Sequence, residues 1–167
     1  MAAAEATTVL EQKHEFATRS KKLGNTCFKK QKYTLAIRCY KRGLVILRCP
    51  SGCEYLNHEW DFIKSLYIEL HLNLAACYLK NDCINLDAAV LHCSIVLESQ
   101  ESDNVKALYR RSLAYGSMND YASAKADISQ AISIDPLNKA LRNQLTQLVS
   151  KEQEYSSRTY RHGFLTS

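Results

Sequence analysis

Five polar residues spread along the chain carry the chemistry this sequence offers: Lys21, Asn25, Asn73, Lys106 and Arg110. Two ammonium groups, two carboxamides and a guanidinium are the side chains that donate hydrogen bonds to carboxylates and supply the charge to hold them. Lys21 and Asn25 are four residues apart, as are Lys106 and Arg110, so each pair shares one face of a helix. A terminal carboxylate would take charge-assisted bonds from Lys21 and amide bonds from Asn25 and Asn73. Lys106 and the forked guanidinium of Arg110 would hold a second acidic group, and two anchors fix the direction of an extended peptide. Any one of the five alone is ordinary solvated surface. Their joint register within a repeated helix-pair pattern is what points to one binding wall.

The elements that must position them follow from composition and periodicity. The chain has 167 residues, 46% of them hydrophobic, which is enough for one domain with a substantial core. Five glycines and two prolines, Pro50 and Pro136, leave few turn signals for a many-stranded protein, while Leu, Ala, Lys and Arg favour helix, so the fold class is all-α. A repeat of about 34 residues, the length of a helix-turn-helix unit, appears three times. The first copy runs through Leu23, Gly24, Asn25, Thr26 and Cys27 to Tyr33, Ala36 and Tyr40. The second runs from Leu74, Ala75, Ala76, Cys77 and Tyr78 to Ala89 and Cys93, and the third from Ser112 through Tyr121, Ala124, Ile128 and Ala131 to Pro136. Gly24, Ala75 and Ser112 on the first helix of each pair, and Ala36, Ala89 and Ala124 on the second, are small enough for close helix contact.

These signals divide the chain into a flexible start over residues 1–12 and a single domain over 13–162, followed by a tail at 163–167. Within the domain, the repeats fall at about 17–50, 54–103 and 105–136, and a capping helix at about 137–162 covers the last apolar face. The run from Glu54 to Lys80 lacks Gly and Pro and reads as an extended first helix of repeat two, with Trp60 as a packing residue on its apolar stripe. The turns at Cys49-Pro50-Ser51-Gly52-Cys53 and around Cys83-Ile84-Asn85 separate the elements there. In the capping helix, Leu141, Leu145, Leu148 and Val149 supply the apolar positions.

Several classes of function are excluded. No GxxxxGK[ST], GxSxG or HExxH motif occurs, and the five histidines have no nucleophile or metal partner at useful spacing, so neither enzyme, cofactor nor metal site is expected. The balance of 22 basic against 17 acidic residues gives +5 without a dense basic run, which suits an acidic partner and not nucleic acid. No stretch approaches the roughly 18–20 apolar residues of a membrane helix. The opening residues lack a secretion signal. The expected location is cytoplasmic, with the nucleus open. Seven cysteines sit mostly in apolar helical patterns as reduced thiols, and Cys49 and Cys53 lack the spacing and partner ligands of a redox or zinc pair. At the end of the chain, Arg158, Arg161 and His162 flank Tyr160 and Phe164, either as a solvated helix end or as a basic face for calmodulin.

With the five residues and the repeats in place, the chain resembles the tetratricopeptide domain of Hsp90 and Hsp70 co-chaperones, over roughly residues 13–162. The stretches Leu72-Asn73-Leu74-Ala75-Ala76-Cys77-Tyr78-Leu79-Lys80 and Ala107-Leu108-Tyr109-Arg110-Arg111 are especially similar to the C-terminal domain of large FK506-binding-type immunophilins. The tetratricopeptide repeat protein 9 group is similar in size and layout. The resemblance implies three repeats in a right-handed superhelix and a two-carboxylate clamp built from Lys21, Asn25, Asn73, Lys106 and Arg110. The implied ligand is a chaperone tail ending Glu-Glu-Val-Asp, from Hsp90 or else Hsp70, with Phe28 and Ala76 around its valine. Ser20 and Cys27 depart from the family's usual Trp and Tyr. The resemblance implies a co-chaperone adaptor without catalysis, any prolyl isomerase activity residing in sequence outside this chain. The rival reading is a scaffold whose groove takes a different peptide or helix.

Overall fold

The computed structural model describes residues 2–49, 55–80, 84–99 and 102–163. Among these residues there are seven helices and no strand. None of the helices is long and apolar enough to cross a membrane. The turn expected at Cys49–Cys53, apart from Cys49, and Cys83 of the second expected turn lie outside the described residues, as does Phe164. The chain divides into two compact units, Met1–Asn85 and Leu86–Ser167.

The first unit holds α1 (Ala2–Lys29), α2 (Tyr33–Leu47) and α3 (Asn57–Tyr78). Helix α1 begins at Ala2, so it runs back through the segment read from sequence as a flexible start. Leu10, Ala17 and Gly24 recur every seventh residue of α1 and are all buried, forming a narrow stripe on which α2 packs. From α2, Ala36, Tyr40, Gly43 and Leu47 meet it at spacings of four, three and four. A Cβ on Gly43 would come within 3.0 Å of Leu70 Cδ1, so the missing side chain is what lets α3 approach α2. Helix α3 is buried on several sides, with Ile63, Leu66, Leu70, Leu74 and Cys77 on one stripe and Ile68, Leu72 and Ala75 off it, as a helix wedged between neighbours must be. Its N-terminus has half of a capping box, since Glu59 accepts the Leu56 N–H at 2.9 Å while Leu56 has no side-chain acceptor to return the bond. Trp60 joins this packing, edge-on to Tyr67 at 5.2 Å, and Tyr67 in turn meets His71.

The turn from α1 to α2 is a Schellman closure. Gln31 takes φ 58° while its N–H reaches Phe28 O at 2.9 Å and the Lys32 N–H reaches Cys27 O at 2.9 Å.

The second unit holds α4 (Leu86–Glu98), α5 (Val105–Ser117), α6 (Tyr121–Ile134) and α7 (Lys139–Gly163). The side chains of Asn104 and Asp120 cap α5 and α6 by accepting the N–H of Ala107 and Ser123 at 3.0 and 3.1 Å. The α5–α6 turn repeats the first unit's closure, with Asn119 at φ 63° and the Asp120 N–H on Tyr115 O at 3.0 Å. The core is Leu108, Tyr121, Ala124, Ile128, Ala131, Leu141 and Leu148. Helix α7 packs on α6 through Leu141 and Leu148, the latter seated over Gly116, whose absent Cβ would lie 2.6 Å from Leu148 Cδ2. Val149, expected on the apolar face of α7, is instead 39% exposed. Inside the unit, Arg111 of α5 donates two bonds of 2.8 Å to Asp127 of α6 and one of 3.0 Å to Ser94 of α4. This paired charge, held by oxygens on two neighbouring helices, ties three elements together.

Candidate functional site

Gly24 is the origin of the site's geometry. A Cβ there would lie 2.4 Å from the Tyr40 ring, so only glycine lets that ring lie against the α1 backbone. The ring is 1% exposed, and its hydroxyl emerges to donate to Asn25 Oδ1 at 2.7 Å. Asn73 Nδ2 of α3 donates to the same oxygen at 3.2 Å. Two donors on the oxygen turn the Asn25 carboxamide so that its NH2 faces away from them, and Asn25 is exposed. The amide is thereby oriented as an outward donor before any ligand arrives.

One helical turn before, Lys21 forms an ion pair with Glu69 of α3. Lys21–Glu69 and Asn25–Asn73 have the same offset of 48 residues, so α1 and α3 run parallel here with matched four-residue steps. Phe28 and Ala76 continue the two rows three residues further on, again with an offset of 48. Both are half-buried, and the Phe28 ring meets Tyr33 edge-on at 5.3 Å. The first unit thus brings together Lys21, Asn25 and Asn73.

Lys106 and Arg110 stand on α5 of the second unit, one turn apart. The Asn104 cap starts the helix just before them. Lys106 is exposed and Arg110 half-buried. The neighbouring Arg111 is turned inward to Asp127, whose hydrogen bonds raise the guanidinium's pKa further above its ordinary value. Beneath them, burial pushes the Cys93 thiol up to about 12, against the lowering influence of Arg110 and Arg111. A hollow of the first unit lies elsewhere: a cavity of about 200 Å³ lined by Leu10, Glu11, His58, Glu59 and Phe62, none of which belongs to the five.

Two residues of this site escaped the sequence reading. Tyr40 was legible only as a packing aromatic, and nothing in a one-dimensional pattern says that its hydroxyl reaches Asn25. Glu69 had a signal, since an acid four residues before Asn73 lies on the same helix face.

A tetratricopeptide repeat model matches residues 105–136, which span α5 and α6. Among solved structures, the C-terminal tetratricopeptide domain of an FK506-binding protein from Plasmodium falciparum is 32% identical at a TM-score of 0.77, covering 89% of this chain and 95% of that one. The chain belongs to this family of tetratricopeptide domains from FK506-binding proteins. The Hsp90 co-chaperone Cns1 of Saccharomyces cerevisiae is 31% identical at a TM-score of 0.74, over 92% of this chain and 45% of that one. The myosin chaperone UNC-45 of C. elegans, solved with an Hsp90 peptide, is 28% identical at a TM-score of 0.70, over 87% and 14%. Bovine peptidyl-prolyl cis-trans isomerase FKBP4 is 33% identical over 157 residues, 92% of this chain and 33% of that protein. The chain therefore spans about a third of the length of the curated relatives it matches. The described helices of this FK506-binding-type domain include no β-rich isomerase unit, and the isomerase activity is said of FKBP4 as a whole.

Proposed function

We propose that this domain is a non-catalytic co-chaperone adaptor that binds the acidic C-terminal tail of Hsp90, with Hsp70 as the second candidate. Lys21, Asn25 and Asn73 take the terminal carboxylate, Lys106 and Arg110 take a second acidic group, and Phe28 and Ala76 border the valine between. The observation that carries this reading is the Tyr40–Asn25–Asn73 chain of hydrogen bonds beside Lys21. An exposed amide held as an outward donor beside an ammonium is prepared for an anion, because the cost of ordering it is met in the free protein. Cns1 and UNC-45 support the choice of chaperone, since one is an Hsp90 co-chaperone and the other was solved with an Hsp90 peptide.

Calorimetric titration with a Glu-Glu-Val-Asp peptide tests the reading. The free-acid peptide should bind, its amidated form should lose most of that affinity, and Lys106→Glu should weaken the free-acid complex about tenfold or more. Added salt should weaken it too, because exposed charges are screened over about 8–10 Å near physiological ionic strength. Equal affinity for both peptide forms would remove the terminal-carboxylate site.

A further inference from the structure

We infer that Glu69 is an internal stand-in for the ligand's carboxylate: it occupies Lys21 in the empty site and lowers affinity for acidic tips by having to be displaced. The inference rests on the function proposed above and names a residue of the same site that sets its affinity. Its basis is the ion pair across the α1–α3 contact. Lys21 makes this pair with a side-chain exposure of 22%, and Glu69 with 50%. The Glu69 side chain, the more exposed of the two, has room to swing away on its stem. It also lies one helical turn before Asn73, whose amide donates to Asn25 at 3.2 Å, so a carboxylate arriving at Lys21, Asn25 and Asn73 must approach Glu69 closely.

Two effects oppose the ligand there. The Lys21–Glu69 pair must be opened or shared, and an exposed pair of this kind alters an equilibrium by up to about fivefold. The arriving carboxylate also meets a like charge next to its binding position, which adds to the opposition. Asn25 escapes this competition, because Tyr40 and Asn73 fix its orientation through its oxygen and leave its NH2 facing outward. The first unit therefore offers a fixed neutral donor beside a cation on loan to an internal acid. A ligand tip with clustered carboxylates can out-compete one half-exposed glutamate, whereas an isolated carboxylate is at a disadvantage.

The test compares wild type, Glu69→Gln, Lys21→Ala and the double variant. Titrated with free-acid Glu-Glu-Val-Asp peptide, Glu69→Gln should bind about three- to tenfold tighter than wild type. The gain should vanish in the Lys21→Ala background. Unchanged or weaker binding by Glu69→Gln would overturn the inference and mark Glu69 as neutral, or as a residue that positions Lys21. A second measurement needs no chaperone peptide: the ε-methylene resonance of Lys21, followed in 13C-lysine protein during titration with N-acetylaspartate. It should respond at several-fold lower concentration in Glu69→Gln than in wild type. Identical midpoints, or no response in either protein, would overturn the inference whatever the peptide does. If the resonance responds as expected while no variant binds the peptide, the chaperone reading falls and the role of Glu69 stands.

Discussion

A tyrosine hydroxyl of the first unit decides which way an exposed amide faces. Tyr40→Phe keeps the ring and removes the hydroxyl with its 2.7 Å bond to Asn25. It should cost about 0.5–1.5 kcal/mol of stability. It should also weaken tail-peptide binding several-fold, because Asn25 is then free to rotate; denaturant unfolding and calorimetry measure the two effects separately. Gly24→Ala is the harsher change. Its Cβ would arrive 2.4 Å from the same ring, so the side chain or the α1 backbone must shift. Overpacking of this kind costs about 1–3 kcal/mol. The cysteines offer a separate check on burial. A thiol pushed up to about 12 leaves Cys93 on the order of one part in ten thousand thiolate near pH 8. Mass spectrometry after brief iodoacetamide treatment of the folded protein should therefore find Cys93 unmodified, while Cys49, which is only half-buried, reacts.

At the scale of elements, the two hairpin turns close identically with different residues. Asn119 tolerates the left-handed conformation, whereas Gln31 adopts φ 58° without a side chain suited to it. Gln31→Gly should therefore stabilise the protein by about 0.5–1 kcal/mol, read from the denaturation midpoint at an unchanged slope. The Arg111–Asp127 pair works in the opposite direction. Asp127 is 6% exposed, so Arg111→Met would strand its carboxylate among α4, α5 and α6. A loss of about 3–5 kcal/mol is expected in the same unfolding measurement. The helices and their packing were legible in the sequence because helix contact demands small residues at fixed intervals. Gly24, Ala75 and Ser112, with Ala36, Ala89 and Ala124, are all buried as that demand requires. The early start of α1 was not legible, since a run of Ala, Glu and Thr before the first repeat residue has helix-forming content but no periodic apolar signal that sets it apart from a leader. Arg111 was hidden for a different reason. The four-residue step from Lys106 picks Arg110 for the shared face but gives its neighbour no role, and only the Asp127 partner on α6 shows that Arg111 is structural.

For the whole molecule, the decisive matter is that the five residues belong to two units, three to the first and two to the second. Spacing made the two groups legible separately, and the acid four residues before Asn73 was the sequence's one sign of the carboxylate that already sits on Lys21. If one peptide engages both units, each unit should answer for a different carboxylate of that peptide. Asn25→Ala should then weaken the free-acid Glu-Glu-Val-Asp peptide several-fold and leave the amidated peptide unaffected, because the group it served is already gone. Lys106→Glu should weaken both forms, since its acidic partner survives amidation. Replacing the peptide's acidic side chains one at a time by their amides should identify a single position at which sensitivity to Lys106→Glu disappears while sensitivity to Asn25→Ala remains. Such crossed losses follow only if the interactions are made pairwise with distinct groups, which is what a variant-by-ligand cycle isolates. If amidation removed the effect of both variants together, the two units would not be dividing the carboxylates between them.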